Sequence, residues 1–178
     1  MDVAELLVEL YDRIPPLVRD AVAGLTPEQL RDAPATGANP IGWLGWHIAR
    51  VQDHQLAEVA PAAQLWTDGD HAARFGLAAD PDDMGYGHGP DDVAAVRPES
   101  ADAIVDYLDA VAARTRGYLA TLTPDDLDRV VDARWDPPVT LGVRLVSIAD
   151  DCLQHAGQAA YVRGLLAGRP GDPAGRGR

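Results

Sequence analysis

Three side chains on two helical segments could together bind a metal. Asp151 and His155 are four residues apart, so on a helix they lie one turn apart on the same face. His47 lies beside Ile48 on the apolar side of an earlier segment. An i, i+4 pair and one side chain from a facing helix can surround a divalent cation. We therefore interpret His47, Asp151 and His155 as metal ligands.

A site of this composition is typical of a catalytic metal. Three protein ligands leave positions open to water or substrate. Mixed imidazole and carboxylate ligation suits zinc, nickel, iron or manganese, and the sequence does not choose among them. The competing interpretation is that His155 is a core histidine, because Asp-x-x-x-His is common by chance.

The other histidines and the cysteine receive different interpretations. His54 follows His47 by about 10 Å along a helix axis, too far for both to bind one ion. We expect His54 to support the ligands from behind or to pack in the core. His71 and His88 fall in a long connection and are expected to be exposed. Cys152 is the only cysteine, cannot form an intramolecular disulfide, and is expected in the core.

Four helical segments must position these residues. In each, apolar residues recur every three or four positions, which is typical of one buried helix face. The segments run from Val3 to Ala21, Ile41 to Val51, Ile104 to Leu122 and Leu141 to Leu166. The pair Pro15-Pro16 predicts a kink or break in the first segment. No segment alternates long enough to require a sheet, so we predict an all-α protein, an antiparallel four-helix bundle.

Helix ends and a short repeat add detail. We expect Asn39 to cap the second helix, with Pro40 as its first residue, and the last helix to stop at Gly168. The motif Leu-Thr-Pro-x-x-Leu occurs at residues 25–30 and again at 122–127. Each copy predicts a short capped turn, and the repeat suggests two related helix pairs.

Residues 61–99 do not follow the helical pattern. They contain a glycine-rich stretch at 85–90 and an acidic run at 80–83. A connection this long inside a domain is usually functional or mobile. Two interpretations stay open: a solvated crossover between the second and third helices, or a lid over the site. Residues 171–178 are expected to be a disordered tail, which leaves one domain at 1–170.

Composition restricts the partners. The chain has 178 residues and a net charge of −13, and all 15 basic residues are arginine. This charge repels phosphate backbones and anionic membranes, so we expect neither nucleic-acid nor membrane binding. The sequence contains no apolar stretch of about 18 residues. Its N-terminal residues lack the basic flank and apolar core of a signal sequence, so we expect a cytoplasmic protein.

Two longer motifs resemble one family. Residues 39–51, NPIGWLGWHIARV, resemble the second helix of the DinB/YfiT-like superfamily, and residues 155–166, HAGQAAYVRGLL, resemble its fourth. With the repeated turn, the resemblance covers residues 1 to about 168. It implies a four-helix bundle whose metal is held by a histidine of helix two and a His-x-x-x-His or Glu-x-x-x-His pair of helix four. These positions match His47, Asp151 and His155, with a shorter carboxylate at 151.

The resemblance also implies a function. The family includes thiol S-transferases and the mycothiol-dependent maleylpyruvate isomerase, in which the metal activates a low-molecular-weight thiol. We expect metal-dependent transfer of such a thiol to an electrophilic small molecule. Mycothiol is favoured by the lysine-free, Ala- and Gly-rich composition, which is typical of a GC-rich genome. Arg163, two turns beyond His155, is a candidate for binding an acidic group of substrate or thiol, or else a charge at the helix end.

Two alternatives to the transferase stay open. One is a metal-dependent hydrolase of the same fold, in which metal-bound water is the nucleophile. The other is a catalytically silent bundle that binds a ligand or partner through its tryptophans, which are Trp43, Trp46, Trp66 and Trp135. Apolar helix faces, and the frequent dimers of the family, lead us to expect a homodimer.

Overall fold

The computed structural model describes residues 1–167 and is mostly helical. Its helices are α1 (Val3–Tyr11), α2 (Ile14–Val22), α3 (Pro27–Leu30), α4 (Ile41–Val59), α5 (His71–Arg74), α6 (Pro90–Ala95), α7 (Ala101–Leu119) and α8 (Leu141–Ala167). Short 3₁₀ helices occupy Leu65–Thr67 and Pro124–Asp128. The predicted helix stop at Gly168 and the predicted tail at 171–178 lie outside the described residues.

Helix α4 is at the centre of the fold. It packs against α8 and α7, and α2 packs against the same two helices. Every residue of α4 from Ile41 to Asp53 is buried, so its polar side chains must find partners inside the protein. Among the described residues, no helix is both long and apolar enough to cross a membrane.

The first predicted helix is two helices. α1 ends at Tyr11 and α2 begins at Ile14. Pro15 and Pro16 therefore lie in the first turn of α2, where a missing N–H group breaks no intrahelical hydrogen bond. The break predicted from the two prolines is confirmed, and it lies just before them.

The predicted start of α4 is wrong by one residue. Pro40, rather than Asn39, is the N-cap, and the first helical residue is Ile41. The backbone of Pro40 is extended, with φ −72° and ψ 160°, and no side chain caps the helix. Because Pro40 is extended and not helical, the helix begins one residue later and Asn39 lies outside the cap position.

The repeated Leu-Thr-Pro motif forms two short capped turns, as predicted. In α3, Thr26 and Gln29 each accept a hydrogen bond from the other's main-chain N–H. In the second copy, the carboxylate of Asp126 accepts from both the N–H and the hydroxyl of Thr123. Both copies thus begin a short helix at the threonine, whose main-chain N–H donates to the side chain three residues later.

A small hairpin corrects the expectation of a chain without strands. β1 (Val130–Asp132) pairs antiparallel with β2 (Val139–Thr140), directly before α8. Strands of three and two residues are too short for alternating polarity to reveal them in the sequence.

The 61–99 connection is folded onto the helices. Its Trp66, Phe75 and Val96 side chains are buried in the core. Arg97 donates from its main-chain N–H to the carbonyl of Phe75 at 2.8 Å. A fully solvated crossover is therefore wrong for this segment, and residues 80–88 of it, called here the site loop, lie against the predicted ligand His47.

Candidate metal centre

Helices α4 and α8 bring the three predicted ligands together. Within the described part of the chain, ligand atoms of His47, Asp151 and His155 all lie within 4.8 Å of one another. His47 is 1% exposed in the middle of α4, whereas Asp151 and His155 are partly exposed on α8. The three form one cluster between two packed helices.

Two neighbours set the orientation of His47. Its imidazole stacks on the indole of Trp43, with ring centroids 4.6 Å apart and planes inclined by 12°. Its Nδ1 lies 2.5 Å from the main-chain carbonyl oxygen of Met84 in the site loop. A carbonyl oxygen only accepts hydrogen bonds, so Nδ1 carries the hydrogen and donates it. In the neutral ring, Nε2 therefore keeps its lone pair free.

That lone pair faces a carboxylate. Nε2 of His47 lies 3.5 Å from Oδ2 of Asp151. Asp151 Oδ2 and His155 Nδ1 are buried and have no hydrogen-bond partner among residues 1–167. Buried polar atoms without partners destabilise a fold, and so do two acceptors facing each other. A divalent cation among the three side chains would remove both penalties, so this donor set fits a metal. A proton on Nε2 is the competing way to stabilise the pair.

The surroundings favour the protonation states in which Asp151 and His155 can bind a metal. Burial raises the pKa of Asp151, but the neighbouring His47 and His155 outweigh burial and leave the pKa below its usual value. Burial, and then the charge of His47, lower the pKa of His155. Both directions favour an ionised carboxylate and a neutral imidazole, which are the states that bind metals.

Tyr86 of the site loop stands at the exposed side of the cluster. Its hydroxyl donates to Oδ1 of Asp151 at 3.4 Å, and its ring meets His47 edge-on with centroids 5.6 Å apart. The residue is 61% exposed. Partial burial and the charge of Asp151 raise the pKa of Tyr86, so the phenol stays protonated and can donate.

A cavity of about 680 Å³ is lined by Met84 and Tyr86 of the site loop. α4 contributes Gln55 to its wall, α8 contributes Arg144 and Ser147, and the hairpin turn contributes Trp135. Trp135 is 65% exposed and presents an aromatic face. The volume is within the range of about 300–1,000 Å³ that is usual for small-molecule sites.

Comparison with known proteins places the chain in a family. A family model described as the DinB superfamily matches residues 10–159. The chain belongs to the DinB superfamily. This superfamily includes metal-binding proteins. The crystal structure of a conserved protein from Enterococcus faecalis is similar, with 34% identity and a TM-score of 0.86, and the match covers 95% of this chain and 99% of that one. A comparison with curated proteins finds no match.

The two supporting residues predicted for this DinB chain lie on opposite sides of the cluster. His54 lines the cavity, and its Nδ1 is buried without a hydrogen-bond partner in the described chain. Arg163 follows His155 on α8, away from the cavity, and its Nη1 is buried without a partner among residues 1–167. Support of the ligands by His54 and substrate binding by Arg163 stay predictions.

Two loop histidines of the DinB chain were wrongly expected to be exposed. His88 accepts from Trp43 Nε1 through Nδ1 at 3.1 Å, and its Nε2 lies 2.8 Å from Oδ1 of Asp83. The ring of His71 packs on Tyr107 with centroids 4.7 Å apart. The connection folds onto aromatic core residues, and its histidines fold with it. Cys152 is buried as expected, and burial raises the pKa of its thiol.

Sequence reasoning missed three residues that shape this DinB site. The position of Arg50 in the helical pattern is that of an ordinary solvent-facing arginine, but its side chain is completely buried. Met84 acts through its main-chain carbonyl, which no side-chain pattern reports. Tyr86 had one signal, the glycines on either side of it, Gly85 and Gly87, which both have positive φ.

Proposed function

We propose that this DinB protein is a metal-dependent enzyme that transfers a low-molecular-weight thiol, with mycothiol as the first candidate, to an electrophilic small molecule. The observation that carries the proposal is the half-buried cluster with two unpartnered polar atoms beside a cavity. His47, Asp151 and His155 would hold zinc, or nickel, iron or manganese. A cation bound there would lower the pKa of a thiol and favour its thiolate, the nucleophilic form.

The chain's own residues would then bind and orient the reactants. The electrophile occupies the cavity, with its apolar part against Trp135 and its reactive carbon toward Tyr86. The thiol enters at the exposed side of the cluster, beside Asp151. The thiol loses its proton to solvent, and its sulfur forms a bond to the reactive carbon. The electron pair of the bond that breaks moves onto the leaving group, or onto the acceptor oxygen, of the electrophile. The hydroxyl of Tyr86, which lines the same cavity, would turn from Asp151 to donate a hydrogen bond to that group. Holding both reactants in one orientation accelerates the transfer.

The helix arrangement is part of the proposal. We propose that α1–α2, α4, α7 and α8 form an antiparallel four-helix bundle within one domain at 1–170. Its support is a closed ring of contacts, in which α2 and α4 each pack against both α7 and α8. A bundle of this kind holds metal ligands on facing helices. A cytoplasmic location and the lack of nucleic-acid binding also stay predictions.

We further propose that two copies associate through the face formed by α1, α2 and α8. A groove of about 840 Å³ on this face is lined by Leu6, Leu10, Leu17 and Leu153. Leu6 is 55% and Leu17 is 41% exposed. A chain with a net charge of −13 repels its own copies, so an apolar patch is the favourable contact for a twofold dimer.

Sedimentation equilibrium tests the dimer. We expect a dimer for the wild type and a monomer for Leu17→Glu, because a buried unpaired charge is unfavourable in an apolar interface. Val130→Glu is the control, since Val130 is 53% exposed on β1, away from this groove. A monomeric wild type would rule out the dimer.

Metal content tests the enzyme proposal. We expect elemental analysis to find metal in the wild type and not in His155→Ala, while Gln154→Ala, an exposed neighbour on α8, keeps it. Loaded protein is then incubated with mycothiol, bacillithiol or glutathione and an alkylating electrophile, and adducts are followed by mass spectrometry. Wild type without metal, even after titration, supports the silent bundle. Metal without thiol adducts, but with ester or amide cleavage, supports the hydrolase.

A further inference from the structure

Arg50 is a buried positive charge one turn after His47. It is 0% exposed, and several of its partners are main-chain carbonyls of the site loop. Its Nε and Nη2 donate to the carbonyl oxygen of Asp83 at 2.9 and 2.8 Å, and Nη2 also donates to that of Pro81 at 3.2 Å. A guanidinium has a rigid set of donors, so these bonds fix the loop backbone relative to α4.

The guanidinium is itself held in the core. Its Nη1 lies 3.8 Å from Oδ2 of Asp53 and donates to Oε1 of Gln64 at 3.1 Å. Its central carbon lies 5.0 Å from the ring centre of Trp66. Because Asp53 is only 2% exposed, Arg50 neutralises a charge that has little contact with water. The guanidinium therefore cannot move without leaving buried groups unpaired.

The side chain of Asp83 fixes two further residues of the site loop. Its Oδ1 accepts from the main-chain N–H of Gly85 at 3.1 Å and lies 2.8 Å from Nε2 of His88. The indole N–H of Trp43 only donates, so Nδ1 of His88 accepts and Nε2 carries the hydrogen given to Asp83. The carbonyl of Met84 lies between these fixed points and accepts from His47.

We propose that Arg50 and Asp83 are positioning residues that select the tautomer of His47 and so set the metal affinity of the cluster. Neither residue is a ligand. The Met84 carbonyl selects the Nδ1–H tautomer, in which Nε2 can bind a metal. With a loosened site loop, His47 would also populate the other tautomer, whose Nε2 carries a hydrogen and cannot bind. The part concerning metal affinity rests on the function proposed above; the part concerning the tautomer does not.

Three variants test the inference. Arg50→Lys keeps the charge beside Asp53 but loses the forked donors. Asp83→Asn keeps the shape and an oxygen that can accept, but loses the negative charge that strengthens the bonds from Gly85 and His88. Arg74→Lys is the matched control, because Arg74 lies in the same connection and bonds Glu99 and, on α7, Asp106, away from His47.

Nitrogen-15 NMR of the imidazoles in metal-free protein reads the tautomer directly. We expect the Nδ1–H form of His47 in the wild type and in Arg74→Lys, and a mixture of forms in Arg50→Lys and Asp83→Asn. The His47 signals are assigned by their loss in His47→Gln. A residue that only stabilises the fold would not change this ratio in a protein with unchanged helix content.

Zinc affinity, measured by competition with a chromophoric chelator, is the second readout. We expect it to fall about 10–100-fold in Arg50→Lys and Asp83→Asn, as is usual when partners of metal ligands are lost, and to stay unchanged in Arg74→Lys. If Arg50→Lys does not fold, Asp83→Asn, which is partly exposed, decides the result.

The outcomes separate the two proposals. A wild type that binds no zinc, with a tautomer ratio that changes in Asp83→Asn, contradicts the metal proposal and leaves the loop's selection of the tautomer supported. A folded Asp83→Asn with unchanged tautomer ratio and unchanged zinc affinity overturns the inference. A changed ratio with unchanged affinity overturns the link to metal binding.

Discussion

Gly85 lies so close to His47 that a side chain does not fit between them. A Cβ atom at position 85 would lie 2.8 Å from Nδ1 of His47 and 2.9 Å from the ring of Trp43. Gly85 also has a φ of +99°, a conformation that side chains disfavour. The site loop can therefore bring the Met84 carbonyl to His47 only with a glycine at this position.

Gly85→Ala should destabilise the protein more than an alanine two residues later. We expect the free energy of unfolding to fall by about 2–5 kcal/mol, from strained backbone and overpacking together. Gly87→Ala is the control, since Gly87 has a φ of +76° but no atom within 4 Å of an added Cβ. It should lose only about 1–2 kcal/mol. Urea unfolding followed by circular dichroism measures both, and equal losses would contradict the close contact.

Asp151→Asn should weaken zinc binding by more than about 10-fold, because the amide keeps the shape but loses the charge. Asp150→Asn is the matched control: Asp150 is exposed, bonds Gln154, and lies one residue away on α8. Calorimetric titration of metal-free protein measures the affinities. Equal affinity in the two variants would remove Asp151 from the ligand set.

Asp53→Asn should be among the most destabilising single changes on α4. Its carboxylate accepts from the main-chain N–H groups of Leu65 and Trp66 and from the hydroxyl of Tyr107, all within 3.0 Å. Losing its charge leaves the buried Arg50 without its counter-ion, for which we expect a loss of about 3–5 kcal/mol.

The control for Asp53 is an exposed ion pair. Asp109→Asn breaks the contact of Asp109 with Arg19, two side chains that are each more than 40% exposed. Pairs of this kind contribute only about 0–1 kcal/mol. The urea midpoints of the two variants are compared. Similar losses of stability would show that the buried ion pair contributes no more than the exposed one.

His54 should make the protein less stable in mild acid. Burial lowers its pKa in the folded state, and the charges nearby are those of Glu58, Arg50, Asp82 and Arg144. The unfolded imidazole, with a pKa of about 6.5, takes up a proton that the folded one resists. The free energy of unfolding therefore falls as the pH drops through this value. His54→Gln should lose less stability than the wild type between about pH 8 and pH 5.5, and an equal loss would contradict the assignment.

Side-chain periodicity explains what could be predicted from the sequence. The long helices and the meeting of His47, Asp151 and His155 follow from apolar spacing, because a helix places residues three and four apart on one face. The helix break at the two prolines and the two capped turns could also be predicted, because each depends only on neighbouring residues in the sequence.

The rest of the site depends on backbone groups far away in the sequence. The main-chain carbonyls of Asp83 and Met84 accept hydrogen bonds whatever side chains those residues carry. The residue types at these positions could therefore not reveal them. Arg50 has the same spacing as a solvent-facing arginine, and only the fold of the 61–99 connection shows that it is enclosed. The choice between crossover and lid needed the same tertiary information.

The parallel stack of Trp43 on His47 gives the protein a built-in optical probe. Indole emission is sensitive to the charge and electron demand of a ring in direct contact, so an event at the imidazole changes the light emitted by Trp43. Trp46 and Trp66 are shielded from solvent and supply a steady background, whereas Trp135 is open to added quenchers. Titration of metal into unlabelled protein should therefore change the emission of Trp43, with iodide suppressing the emission of Trp135.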